Sequence, residues 1–156
     1  MNTAPENFAA ATPTRRVDQL LAHYASSHQH PTNERIHYTA IPCIMLSLVG
    51  LLYAASPLAA LLFLAASLVY YWRLSAVFLV SMVVITVLML AIIAALHAKG
   101  VLLPVCVTVF VVAWVFQFIG HRIEGKKPSF FEDVQYLWVG PLFVLSRLFV
   151  KLGLRW

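Results

Sequence analysis

The sequence predicts an all-α protein, a polytopic membrane bundle of about four transmembrane helices. Three observations support this: the composition is strongly apolar, the apolar residues form long blocks, and the charged residues lie outside those blocks. Of the 156 residues, 62% are hydrophobic and 11% are charged, whereas soluble domains carry about 25% charged residues. A soluble core of this size could not bury so many apolar side chains, so the blocks are expected to face lipid.

We expect the transmembrane helices in four apolar segments, which are residues 38–56, 57–72, 74–96 and 101–119. A helix needs about 20 residues to cross a hydrocarbon core of about 30 Å, so the second segment is slightly short. Only Ser56 and Pro57 separate the first two segments, which predicts a tight hairpin. Pro31 is tolerated in a first helical turn, so a helix starting near it could carry Asn33 and His37 on one face. Pro42 would then kink or restart that helix.

The two ends of the chain are predicted to hold less regular membrane elements. Residues 1–13 are expected to form a flexible tail, and 14–156 a single integral-membrane domain. After Thr14, apolar residues recur at the i, i+3, i+4, i+7 spacing of an amphipathic helix on the membrane surface or packed on the bundle: Val17, Leu20, Leu21 and Tyr24. The last apolar stretch, 134–150, contains Gly140 and Pro141. It is either a kinked membrane helix or an interfacial one.

Basic residues near the segment ends predict the orientation of the bundle. With a cytoplasmic N-terminus and four crossings, Lys99 would lie on the outer side of the membrane. The other basic residues near segment ends would be cytoplasmic: Arg15, Arg16, Arg35, Arg73, Arg122, Lys126 and Lys127. The polar segments 28–37 and 120–133 would then share one face. We predict a multi-pass protein of a bacterial inner membrane, or of the endoplasmic reticulum if the source is eukaryotic. The net charge of +5 suits anionic lipid headgroups rather than nucleic acid, and the oligomeric state is not predicted.

Histidines are concentrated in the two polar segments. His28, His30 and His37 lie in the first, and His121 lies in the second, three residues before Glu124. Residues three or four apart share a helix face, so His121 and Glu124 could point together. Imidazole and carboxylate groups at a hydrophobic boundary suit a transition metal. Alternatively, interfacial histidines hydrogen-bond to lipid headgroups or cap helix ends, and the spacing leaves both interpretations open.

The basic residues of the second polar segment also have two interpretations. Arg122, Lys126 and Lys127 could anchor the cytoplasmic face of the bundle. They could instead bind the carboxylate of a lipid at the headgroup level.

These segments resemble the signatures of the Mpo-like family of membrane 2-hydroxy fatty acid dioxygenases. The first signature is matched by His28-x-His30-Pro31-x-Asn33-x-x-Ile36-His37 with Ile41-Pro42. The second is matched by Trp114-Val-Phe-Gln117 through Gly120-His121 to Glu124-Gly125-Lys126-Lys127-Pro128, followed by Gln135 and Gly140-Pro141-Leu142-Phe143. The resemblance extends from about Leu20 to Leu154.

The resemblance implies an Fe(II)-dependent α-oxidation. A 2-hydroxy fatty acid would react with dioxygen, lose its carboxyl carbon and leave a fatty acid one carbon shorter. By position, the implied iron ligands and catalytic residues are His28, His37 and His121, with His97 as a further ligand. Four full crossings would nevertheless put His97 about 30 Å from His121.

The resemblance also implies partners for the iron site and for the substrate. Asn33, Gln117 and Glu124 would support the ligands, because metal-bound histidines need partners that fix their tautomer. Arg122, Lys126 or Lys127 would pair with the substrate carboxylate. Two rival functions remain: a non-catalytic membrane protein that binds lipid or acts as a scaffold, and an enzyme that performs another metal-dependent reaction on a lipid.

Overall fold

The structure is a computed structural model that describes residues 15–125 and 136–156. The predicted tail, residues 1–13, lies outside the described residues. Within these ranges the chain forms six helices and no strand. In chain order the helices are α1 Arg16–Ala25, α2 Pro31–Ala55, α3 Pro57–Trp72, α4 Ala76–Ala98, α5 Leu102–Glu124 and α6 Val139–Leu152.

Helices α2, α4 and α5 are long and apolar enough to cross a membrane. Apolar side chains such as Val80, Val87 and Leu88 are exposed on the outer surface of α4, as expected for a helix that faces lipid. Helix α3 has 16 residues, or about 24 Å at 1.5 Å per residue, so it is short as predicted. The prediction of an all-helical membrane bundle is confirmed.

Helix α2 begins at Pro31, as the sequence suggested, and it places Asn33 and His37 one turn apart. The ring nitrogen of His30 caps this start by accepting a hydrogen bond from the backbone N–H of Thr32 at 3.2 Å. The sequence left a kink or a restart of the helix open at Pro42, and the restart does not occur, since α2 continues through Pro42 to Ala55. Pro42 cannot donate a backbone hydrogen bond, and α2 remains one helix there while it packs against α5.

Helices α2 and α5 run antiparallel and form the most extensive helix contact in the structure. Two glycines allow the close approach. A Cβ atom on Gly50 would overlap the sulfur of Cys106, and one on Gly120 would overlap the side-chain oxygen of Asn33. Small residues at such contacts are typical of helices that pack within a membrane. The pairing brings the start of α2 beside the end of α5.

The amphipathic helix α1 packs on the bundle rather than standing apart from it. Its residues Val17, Leu21 and Tyr24 are buried in one hydrophobic cluster with Leu142 and Phe143 of α6. Helix α6 has 14 residues, about 21 Å at 1.5 Å per residue, which is less than a perpendicular crossing needs. Helices α1 and α6 therefore cover the end of the bundle where α2 begins and α5 ends.

Candidate metal centre

His28 lies in the connection between α1 and α2 and is only 3% exposed. Its Nδ1 atom lies 2.8 Å from the backbone oxygen of Tyr24, and the two rings stack with their centroids 4.2 Å apart. A carbonyl oxygen can only accept, so Nδ1 donates and the lone pair of a neutral ring resides on Nε2. The connection thus presents an imidazole whose orientation and tautomer are both fixed.

His37 lies in α2 and is completely buried. Its Nδ1 donates to the backbone oxygen of Asn33 at 2.9 Å, which again leaves the lone pair on Nε2. That Nε2 atom is buried and has no hydrogen-bond partner among the described residues. Buried polar atoms are almost always satisfied in folded proteins, so this nitrogen is suited to a ligand.

His121 completes a compact group of three histidines near the end of α5, where it is 6% exposed. Its ring centroid lies 5.4 Å from that of His28 and 4.9 Å from that of His37, and the last two are 4.2 Å apart. One ligand nitrogen from each ring lies within 4.8 Å of the other two. Three imidazoles converging in this way can bind a transition-metal ion such as iron, zinc, copper or nickel.

Glu124 fastens the connection that carries His28 to the end of α5. One carboxylate oxygen accepts from the backbone N–H of Gln29 at 2.9 Å. The other accepts from the backbone N–H of His30 at 2.9 Å and from the side-chain amide of Asn33 at 3.0 Å. The carboxylate also lies at the N-terminus of α2, where negative charge is favoured. Glu124 therefore supports the histidines from outside their nitrogen cluster.

Gly120 has a role that the sequence did not suggest. Asn33 is fully buried, and its side-chain oxygen lies in the space that a Cβ atom on residue 120 would occupy. That Cβ would also lie 3.4 Å from Cε1 of His37. The signal available in the sequence was the position of this glycine, directly before His121. Tyr24 was likewise interpreted only as an apolar residue, although it precedes His28 by one helical turn.

Gln117 lies one turn before His121 and is 5% exposed. Its Oε1 atom is buried and makes no hydrogen bond within the described parts of the chain. Gln117 lines a cavity of about 20 Å³ together with Tyr24 and Ile41, which is room for about one water molecule. Each of these three residues is four positions from one of the clustered histidines. The cavity therefore lies about one helical turn from the histidines, with apolar walls that include Met45.

The remaining candidate residues lie outside this group. His97 is exposed at the end of α4, where its ring lies 5.6 Å from that of Tyr53. Tyr53 follows His37 by 16 positions on α2, or about 24 Å at 1.5 Å per residue. His97 is therefore at the opposite end of the bundle, and we leave it out of the ligand set. Arg122 is exposed beside His121, and Lys126 and Lys127 lie outside the described residues.

The fold and the site together define an integral-membrane helical protein with a buried group of three histidines. The model of the family described as "2-hydroxy-palmitic acid dioxygenase Mpo1-like" matches residues 14–152, and the chain belongs to this family. It is 29% identical over 140 residues to the 2-hydroxy-palmitic acid dioxygenase MPO1 of Saccharomyces cerevisiae, an alignment that covers 85% of this chain and 79% of the yeast protein. No solved structure matches the chain significantly.

Proposed function

We propose that this protein is an Fe(II)-dependent dioxygenase that converts 2-hydroxy fatty acids to fatty acids one carbon shorter. The observation that carries the proposal is the buried group of His28, His37 and His121 with converging nitrogens. The names of the family and of the yeast relative support a 2-hydroxy fatty acid and dioxygen as substrates.

The residues present fit a metal held by three protein ligands. The carbonyl oxygens of Tyr24 and Asn33 fix the tautomers of His28 and His37, and such partners normally determine how well a histidine binds metal. An Fe(II) ion bound here would supply open coordination positions and redox chemistry for dioxygen and the substrate oxygens. Burial of the three rings keeps bulk water away from this position.

The proposed reaction converts a 2-hydroxy acid and dioxygen to the shorter acid, carbon dioxide and water. The bond between C1 and C2 breaks, C2 becomes the new carboxyl carbon, and dioxygen is reduced. We place the substrate carboxylate at the polar end of α5, where Arg122 lies and where Lys126 and Lys127 follow in sequence. The acyl chain would then extend past Ile41 and Met45 toward the apolar interior, which requires the small cavity to widen.

We propose that Gln117 contacts the substrate and does not support the metal-binding histidines. Gln117 lines the small cavity, and its buried Oε1 atom lacks a hydrogen-bond partner among the described residues. The 2-hydroxyl group of the substrate can donate to such an oxygen. A site built to accept a hydrogen bond discriminates strongly against an analogue that lacks the donor, so Gln117 would favour 2-hydroxy acids over unmodified fatty acids.

Metal content and oxygen uptake test the proposal together. Protein purified without oxygen should retain about one iron per chain, since the three nitrogens form one site. Changing His37 or His121 to alanine should remove the iron, whereas His97→Ala is the matched control and should retain it. Adding 2-hydroxypalmitate should then start oxygen uptake in the wild type and in His97→Ala only.

The outcomes separate the proposal from its two rivals. Iron without oxygen uptake on any 2-hydroxy fatty acid would indicate a different metal-dependent lipid reaction. Absence of any metal from correctly folded protein would indicate a scaffold or lipid-binding protein. Either result would overturn the proposed activity.

We also propose that the three-histidine face of the bundle is cytoplasmic, in a bacterial inner membrane. Arg16, Arg35, Arg73 and Arg122 lie in or beside helix ends on this face, and Lys99 lies at the opposite one. Basic residues favour the cytoplasmic side of a membrane, which supports this orientation.

A further inference from the structure

An open groove of about 640 Å³ lies between α2 and α5 and is separate from the histidine group. Its walls are mostly apolar and include Ile36, Val112 and Phe116. The buried residues Ala40 and Ala113 form its floor. The small floor residues leave a channel along the seam between two helices that are long enough to cross a membrane.

The groove faces away from the candidate metal centre. Thr39 and Cys43 line it from α2, and no histidine of the described residues lines it. At about 100° per residue, Asn33 and His37 point roughly 120–160° around α2 from Thr39. An occupant of the groove is therefore separated from the three histidines by the α2–α5 contact, so this site is distinct from the proposed reaction site.

The dimensions of the groove match one leaflet of a bilayer. Its lining on α2 extends from Thr32 to Cys43, an interval of 11 residues or about 16 Å along the helix. This is about half of a hydrocarbon core of about 30 Å. The long axis of the groove follows the helices, which is the direction of lipid chains.

The end of the groove near the start of α2 carries positive charge. Arg35 is exposed there and forms no ion pair within the described part of the chain. The hydroxyl group of Thr32 lies at the same end. A guanidinium group binds phosphate in a bidentate manner, so the polar end suits a phospholipid headgroup and the rest suits its acyl chain.

We propose that the α2–α5 groove binds one acyl chain of an anionic phospholipid whose phosphate pairs with Arg35. The bound lipid contacts both helices that carry His37 and His121, and it stabilises their pairing from the lipid side. This proposal does not depend on the proposed enzymatic activity, because it rests on the groove and Arg35 alone.

Native mass spectrometry of the intact chain, released from bilayers of defined composition, tests the proposal. The wild type should retain one phosphatidylglycerol in preference to phosphatidylcholine by about fivefold, the advantage expected from one basic residue near the surface. Arg35→Gln should remove the preference. Val112→Trp should block retention because residue 112 lines the groove, whereas Val111→Trp is the matched control and should not, since Val111 is similarly exposed but lies outside the lining.

Equal retention of both phospholipids, or retention by Val112→Trp, would overturn the proposal. Retention of added palmitate in place of phosphatidylglycerol would overturn its assignment to a phospholipid.

Discussion

The side-chain oxygen of Asn33 lies against Gly120, in the position that a Cβ atom would occupy. This contact joins the start of α2, which carries His37, to the end of α5, which carries His121. It allows the two histidines to approach, because residue 120 has no side chain to separate the helices. The side-chain nitrogen of Asn33 donates to Glu124 at the same junction.

Gly120→Ala should therefore damage the histidine group directly. The added methyl group displaces a buried amide that has little room to move, and overpacking of this kind costs about 1–3 kcal/mol. We expect a lower thermal midpoint and loss of bound iron, measured by calorimetry and by metal analysis. Gly140→Ala is the matched control, since its nearest atom is the flexible end of Ile41 at 3.2 Å. Full iron content in Gly120→Ala would contradict the role given to this contact.

Glu124→Gln should loosen the connection that carries His28. The carboxylate accepts hydrogen bonds from three N–H groups. A glutamine amide would replace one of its oxygens with an NH2 group, which cannot accept a hydrogen bond from them. Changes to groups that support metal ligands typically lower metal affinity by about 10–100-fold, which a competition titration with a chelator measures. Glu34→Gln is the control, because Glu34 pairs with Arg147 instead. Equal iron affinity in the two variants would contradict the role of Glu124 in supporting the metal-binding histidines.

Gln117→Leu should weaken the use of the substrate without weakening the fold. Removing a buried oxygen that has no partner among the described residues is expected to leave stability unchanged or raise it. Iron content should stay the same, while kcat/KM for 2-hydroxypalmitate falls about 2–10-fold through loss of a neutral hydrogen bond to the substrate of about 0.5–1.5 kcal/mol. Steady-state kinetics and a melting curve on the same preparation check both parts. Unchanged kcat/KM would show that Gln117 does not contact the substrate.

Cysteine labelling tests the orientation. Lys99→Cys should react with a membrane-impermeant maleimide in intact cells, whereas Arg122→Cys should react only after the membrane is opened. Both positions are exposed at helix ends, so the difference reports the side of the membrane rather than burial. The reverse pattern would place the histidines on the outer face and contradict the charge argument.

The sequence predicted the membrane bundle well because long apolar blocks permit little else. Helix α2 could be expected to start at Pro31 from local capping chemistry alone. In contrast, the role of Gly120 and the hydrogen bonds of Glu124 depend on how α2 and α5 pack, which local patterns do not specify. His97 shows the opposite case: the family resemblance implied a further ligand there, whereas the lengths of the apolar segments already predicted the distant position that the structure shows.

The most direct test of the central claim is the turnover of 2-hydroxypalmitate labelled with ¹³C at its carboxyl carbon. Iron-loaded wild-type protein in a membrane mimic should consume dioxygen, release labelled carbon dioxide and form the unlabelled fatty acid that is one carbon shorter. His37→Ala should form none of these products, and His97→Ala should form them at the wild-type rate. Labelled carbon retained in a product of unchanged chain length, from protein that holds its iron, would contradict the account.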